Sequence, residues 1–328
     1  FSALVSMFYH WGIIQKVVGA FAWVLRKFMN ISGSEGLVAA GNIFMGMTES
    51  PVLIKNYLPT MNRSEIFLVM VSGMGTIAGS VMGTYIGMLG GTDPAAKVLF
   101  ATHLLSASVM AVPGSIVLAK MLCPQTEEAT DHVAISGKEK ENSNILDAIS
   151  SGTVTGVKLM TNIAAMLLVF ISLVALANYI TEGVIGRYTG LNDWIVKITD
   201  GKAQGLTFQF ILGVITSPFM WLIGVPSQDI MLVGSLLGQK TILNEFVAYF
   251  QLQQWKDAGL FMYEKSILMS TYILCGFANI SSIGILLGGL GVLAPEKRGL
   301  ISRIGVPAMI GGALVSVLSA TIIGMILG

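Results

Sequence analysis

Residues 41–58 read GNIFMGMTESPVLIKNYL. They belong to an apolar stretch, 34–58, that Gly46, Thr48, Glu49, Ser50 and Pro51 interrupt near its centre. Neither half approaches the roughly 20 residues a helix needs to cross a bilayer. Irregular backbone at membrane depth survives only where protein or a water-filled cavity covers it. The stretch therefore predicts a re-entrant helical hairpin with a carboxylate at its tip. An ionised carboxylate in hydrocarbon costs roughly 2.5–3.5 kcal/mol on insertion scales, which makes Glu49 a functional candidate by default. A purely structural role stays open.

A second stretch, 227–254, has the same grammar: an apolar half, a polar break at Asn244-Glu245, and a second short half. The rest of the chain is membrane-like. Hydrophobic residues make up 54% and charged residues 11%, where a soluble domain carries about 25% charge. Uncharged runs fill 66–92, 98–119, 159–181, 203–228, 267–295 and 304–328. Each is long enough to cross a bilayer. A net charge of +1 gives no electrostatic footprint for a nucleic-acid partner. His10, His103 and His132 are scattered and form no metalloprotease motif. Cys123 and Cys275 lack metal or redox spacing. An intramembrane aspartyl hydrolase needs opposed Asp residues on spanning helices, and none of these runs holds one. The chain reads as an all-α polytopic membrane protein and not as an enzyme.

The order of segments predicts its organisation. Residues 1–12 read as the end of a scaffold membrane helix that begins in a longer chain. Residues 13–121 form a first repeat: an amphipathic interfacial helix over 13–30, the hairpin 34–58, and spans 65–91 and 97–121. Glycines 75, 79, 83, 87 and 91 recur every fourth residue along the first of these spans, a stripe where a second helix can approach. A polar linker with a short helix covers 122–157, and a scaffold span with an interfacial segment covers 158–206. Residues 207–328 form a second repeat, with hairpin 227–254 and spans 265–293 and 302–327. Three crossings, 65–91, 97–121 and 158–180, separate the hairpins, so they enter from opposite sides. This is an inverted repeat with two opposed re-entrant hairpins, the architecture of a secondary transporter whose substrate site lies at the paired interruptions. Placing 13–63, 120–158 and 296–303 in the cytoplasm puts twelve of the nineteen Lys and Arg there, in line with the positive-inside rule. Glu35 and Asp229, each at the start of a hairpin, read as structural caps.

The tips suggest their own ligands. Backbone carbonyls with an Asn amide oxygen and a Thr hydroxyl suit a small hard cation, which points to Asn42 and Thr76 for sodium. Ionised carboxylates only accept hydrogen bonds. Glu49 and Glu245 therefore suit a neutral substrate with many donors, such as a sugar or nucleoside. Asn279 and Ser282, three apart in a span, share a face and can meet hydroxyls. Phe277 offers an aromatic surface beside them. Each has a plainer alternative: helix–helix hydrogen bonding for Asn279 and Ser282, a bond to its own backbone for Thr76, and core or lipid packing for Phe277.

At these residues the chain resembles the concentrative nucleoside transporter family. The matching strings are GNIFMGMTESPVLIKNYL (41–58), GTIAGSVMGTYI (75–86), NEFVAY (244–249) and CGFANISSIGI (275–285), in order and on the expected elements. The resemblance implies a homotrimeric, multi-pass protein of the plasma or inner membrane, surrounded by lipid, that imports nucleosides by an elevator-type alternating-access motion. It implies that Met47, Thr48, Glu49 and Val81 meet the nucleobase, and that Glu245, Phe277, Asn279 and Ser282 meet the ribose. It implies a sodium site at Asn42, Met45, Thr76 and Ile77, with no other cofactor. Asn42 favours sodium over proton coupling, the alternative reading. Gly46-Met47 stands where many members carry Gln in place of the Met, and leans the expected substrate toward purine nucleosides.

Overall fold

The computed structural model describes residues 2–29, 31–127, 144–199, 201 and 203–328. Much of the linker expected over 122–157 lies outside the described residues. Every regular element among the described residues is helical. In chain order these are α1 (Ser2–His10), α2 (Ile13–Met29), α3 (Gly33–Gly41), a 3-10 turn (Ser50–Ile54), α4 (Arg63–Gly75), α5 (Gly79–Gly90), α6 (Pro94–Leu122) and α7 (Ile145–Asn178). A π-helical stretch (Tyr179–Gly186) leads to α8 (Arg187–Thr189) and α9 (Leu191–Ile198). Then follow α10 (Phe208–Leu222), α11 (Ile230–Ile242), α12 (Glu245–Asp257), α13 (Glu264–Leu274), α14 (Ile280–Leu293), a second 3-10 turn (Pro295–Lys297) and α15 (Arg298–Ile326). The same order occurs twice: an arm, a tip and a returning arm, then a broken helix, then a long helix. Among the described residues, three stretches, Arg63–Gly90, Pro94–Leu122 and Pro295–Ile326, are long and apolar enough to cross a membrane.

The chain divides into two compact units. One holds Phe1–Met160 and Cys275–Ser319, and the other holds Thr161–Leu274 and Ala320–Gly328.

The first unit is built around α4, which is buried from Ser64 to Gly75. A helix apolar on every side has no amphipathic stripe and must be enclosed. Small residues let the neighbours close in. A Cβ placed on Gly312 of α15 would lie 2.7 Å from Met74 Cβ, and one on Gly75 would lie 3.1 Å from Val315 Cβ. Along the glycine stripe Gly75 packs closely, whereas a Cβ on Gly87 or Gly91 would meet nothing within 4 Å in this chain. Both helices that open this region start on capping boxes. Ser32 Oγ accepts from Glu35 N at 3.3 Å while Glu35 Oε2 accepts from Ser32 N at 3.0 Å. Asn62 and Glu65 repeat the arrangement at 3.0 and 2.9 Å. Buried Glu35 also pairs with Lys120 of α6, so its structural reading holds.

The first returning arm is a single 3-10 turn followed by irregular turns, not a full helix. Pro59 limits its length: it lacks an amide donor and restricts Leu58 before it.

In the second unit α10 and α11 lie backbone to backbone. A Cβ on Gly238 would sit 2.6 Å from Leu212 Cβ, and one on Gly234 would sit 3.1 Å from Gly213 O. Asp229 is structural but does not cap α11. Its carboxylate accepts from Met262 N at 3.0 Å and Tyr263 N at 3.2 Å, fastening the approach to α13. The span expected to begin at residue 158 is continuous with the helix from Ile145 onward.

Candidate functional site

Both spans that follow the hairpins are broken, which corrects the expectation of continuous helices over 65–91 and 265–293. α4 ends at Gly75, Thr76 is extended (φ −118°, ψ 168°), and α5 begins at Gly79 after Ala78. α13 ends at Leu274, and α14 begins after Asn279, which is also extended (φ −142°, ψ 168°). The two unwound segments hold each other: Phe277 N donates to Thr76 O at 3.2 Å. A Cβ on Gly276 would lie 3.0 Å from Met74 O and 3.1 Å from the carbonyl carbon of Gly75, so glycine permits the crossing. Broken helices leave uncovered carbonyls at one end and uncovered amides at the other, the groups that receive cations and anions.

The first tip docks on this break. Gly79 N, at the start of α5, donates to Phe44 O of the tip at 3.2 Å. Asn42 is fully buried; its Nδ2 donates to Ser72 Oγ at 3.0 Å, and its Oδ1 accepts from Ser50 Oγ at 2.6 Å. Thr76 Oγ1 donates to Ser72 O at 2.9 Å, the self-bonding alternative. That bond uses the proton of the hydroxyl and leaves its lone pairs to accept. Met45 and Ile77 are buried in the same region, at 8% and 0% exposure. The side chains of Asn42, Ser50, Ser72 and Thr76 thus supply neutral oxygens alone, a donor set that suits a hard, singly charged cation. Ser50 and Ser72 were not among the expected site residues. Ser72 carries a signal, a hydroxyl four residues before Thr76 in the same apolar run.

Met47 is anchored: a Cβ on Gly73 of α4 would meet Met47 Cβ at 2.9 Å. Thr48 and Glu49, next along the tip, are exposed. Glu49 Oε2 accepts from Gly46 N at 3.2 Å, which folds the carboxylate over its own turn. Thr48 approaches α14, where a Cβ on Gly289 would lie 3.2 Å from Thr48 Cγ2. Val81, on α5, is buried.

Asn279 and Ser282 do not share the face of a continuous helix. Asn279 is the N-cap of α14, and its Oδ1 accepts from Ser282 N at 2.9 Å, Ser282 Oγ at 3.0 Å and Ser281 Oγ at 2.7 Å. The backbone donor fixes which side-chain atom is the oxygen. That oxygen accepts within the cap and Ser282 Oγ spends its proton on it, so in a ligand contact the Asn279 amide group could only donate and the Ser282 hydroxyl only accept. Asn279→Asp therefore keeps the cap and removes the donor. We expect it to lose ligand affinity about tenfold, the value of one hydrogen bond, with a stability cost from the buried carboxylate that the unfolding temperature reads. Asn279→Ala should lose both affinity and about 1 kcal/mol of stability. Thermal unfolding beside ligand binding separates the two; equal affinity in Asn279→Asp would remove the amide from the site. Phe277 is half-buried at the crossing.

In the second unit Glu245 opens α12 and is 7% exposed. Asn244 caps the helix by accepting from Val247 N at 2.9 Å. A carboxylate at this first position is stabilised by the helix N-terminus.

Known proteins resemble the chain over nearly its whole length. A family profile described as "Na+ dependent nucleoside transporter C-terminus" matches residues 103–324, and one described as "Nucleoside recognition" matches residues 1–92. An uncharacterized transporter of Haemophilus influenzae is 39% identical over 331 residues, covering 100% of this chain and 74% of the relative. Sodium/nucleoside cotransporter 1 of Rattus norvegicus is 38% identical over 340 residues, covering 99% of this chain and 49% of the relative. The chain thus spans about half the length of that mammalian protein. Among solved structures, CNTnw in an inward-facing substrate-bound state superposes with a TM-score of 0.86 at 36% identity, covering 100% of this chain and 73% of the other. A variant of CNTnw in an outward-facing state gives a TM-score of 0.88 at 35% identity, covering 99% and 73%.

Proposed function

The chain belongs to the concentrative nucleoside transporter family, and from that premise we propose that it is a sodium-coupled symporter that imports nucleosides. It is an integral membrane protein of several spans and a transporter, not an enzyme. The observation that carries the sodium reading is the buried oxygen cluster of Asn42, Ser50, Ser72 and Thr76 at the α4–α5 break. One sodium ion there draws on the Asn42 amide oxygen, the Thr76 hydroxyl and backbone carbonyls around Met45 and Ile77. The ion holds the first tip against the broken helix, and a formed tip presents Thr48 and Glu49 to the nucleobase. Sodium binding thereby raises the affinity for nucleoside, and nucleoside raises the affinity for sodium by the same factor.

The substrate contacts follow from donor and acceptor type. The Glu49 carboxylate accepts from ring or amino N–H groups of the base, with Met47 and Val81 as apolar walls. Glu245 accepts from ribose hydroxyls, the Asn279 amide donates to a ribose oxygen, the Ser282 hydroxyl accepts, and Phe277 stacks on the sugar face. Met47 gives a soft apolar surface where an amide would read a base edge, which favours purine nucleosides. The two hairpins enter the membrane from opposite sides and travel with their broken helices as a transport domain against a trimeric scaffold. Apolar side chains exposed on α7, Leu168, Leu173 and Leu176 among them, suit lipid or neighbouring subunits.

Uptake of labelled adenosine and uridine into proteoliposomes made with the full-length protein tests the reading. An inward sodium gradient should drive accumulation above the external concentration, with adenosine the stronger competitor. Uptake that ignores sodium and rises with an inward proton gradient would establish the proton-coupled alternative instead.

A further inference from the structure

The second repeat carries a charged group where the first carries the oxygen cluster. Lys240, in the last turn of α11, is fully buried, and its Nζ donates to Ile273 O in the last turn of α13 at 2.8 Å. The breaks set the correspondence. Gly75 stands three residues before Ala78, the N-cap of α5, and Gly276 stands three residues before Asn279, the N-cap of α14. Counting back three residues from each glycine gives Ser72 and Ile273. Each is reached by a side chain at the C-terminal end of a first hairpin arm: Asn42 Nδ2 donates to the Ser72 side-chain hydroxyl, and Lys240 Nζ donates to the Ile273 backbone carbonyl. Tyr249 of the returning arm also donates to this end of α13, from its hydroxyl to Thr271 O at 2.8 Å.

The physical demand at the two places is the same. The last carbonyls of a half-helix have no amide partner within it and carry about half a negative charge, which draws a cation. The first repeat answers with neutral side-chain oxygens. The second answers with an ammonium, a compact charge with three donors and no acceptor. A fully buried ammonium is costly unless it meets such a partner.

We infer that Lys240 is a tethered cation, occupying in the second repeat the position that sodium takes in the first. The inference rests on the sodium reading of the first repeat. Its consequence is that the second hairpin closes on α13 without an ion of its own, so that each nucleoside travels with one sodium. Neutralising Lys240 should open a second cation position. Lys240→Gln gives the second repeat an amide oxygen like that of Asn42; Lys240→Met keeps the chain length without charge or oxygen.

The test uses the purified full-length protein, with sodium chloride against choline chloride, read by thermal unfolding in detergent and by uptake in proteoliposomes. For the wild type, uptake and the unfolding midpoint should follow sodium with a Hill coefficient of about 1, the value for one site. For Lys240→Gln the coefficient should rise toward about 2, and the midpoint should fall in choline and recover in saturating sodium. Lys240→Met should show the same steepening at several-fold higher sodium. A wild-type coefficient and sodium response in every variant that folds overturns the inference. So does failure of both variants to fold in saturating sodium, because sodium then cannot replace the ammonium. A wild-type protein indifferent to sodium sinks the sodium reading itself, before any variant is compared.

Discussion

Asn42→Ala is expected to abolish the sodium dependence of transport. Asn42 joins the first tip to α4, through Ser72, and to its own returning arm, through Ser50. Alanine removes a candidate sodium ligand and leaves two buried hydroxyls short of a partner. The unmet groups cost stability, about 1–3 kcal/mol each, while the lost contact with the ion, of similar size to a hydrogen bond to a charged group, should lower sodium affinity and sodium-driven uptake on the order of 100-fold. A general loss of fold would lower uptake too, and the discriminating measurement is the unfolding midpoint with and without sodium. The wild type should gain stability as sodium rises, by linkage of binding to folding. The variant should start lower and gain nothing. A variant that sodium still stabilises as it does the wild type removes Asn42 from the ion site.

Asn42 was legible because a polar amide in an apolar run is conspicuous. The same is true of the tips: Glu49 and Glu245 stand out against their surroundings, and both sit where helical arms turn back. The breaks in the following spans were not legible, since the segments that unwind, Thr76-Ile77-Ala78 and Phe277-Ala278, are as apolar as a continuous helix. Hydropathy reports burial, and a broken helix packed inside protein is as buried as an intact one. The only local signs are Gly75, Gly79 and Gly276, and in membrane helices glycine equally marks close packing. The stripe reading over 75–91 took the commoner meaning, and the open surroundings of Gly87 and Gly91 show its limit.

Asn279 illustrates a second ambiguity. Asn and Ser three apart satisfy the shared-face pattern of a helix and also the pattern of an N-cap with its third residue. The structure selects the cap, and that choice turns Asn279 from a group that donates and accepts into one that donates. Lys240 was visible as a charge in an apolar arm. Its partner, a backbone carbonyl 33 residues away, leaves no mark on the sequence. Pairings of that kind, Asn42 with Ser72 included, are set by topology and become readable only when the two repeats are superposed at their glycines.

The largest effect on substrate is expected for Glu245→Gln. Glutamine keeps the shape of the side chain but removes the charge and turns one acceptor oxygen into an N–H donor. A ribose presents two neighbouring hydroxyls, and a carboxylate accepts from both. Hydrogen bonds to a charged group contribute about 1.5–3 kcal/mol each, so losing one and weakening the other lowers ribonucleoside affinity on the order of 100-fold. Glu245 sits in the first turn of α12, where a carboxylate contributes about 0.3–1 kcal/mol through the helix terminus, and the cap itself belongs to Asn244. The 2′,3′-dideoxy form of the same nucleoside makes the assignment specific. It lacks both donors, so wild type and variant should bind it with nearly equal, weak affinity, and the coupling between the two changes measures the contact. An unchanged affinity for the ribonucleoside, or an equal loss for both substrates, would mean that Glu245 serves the hairpin and not the sugar.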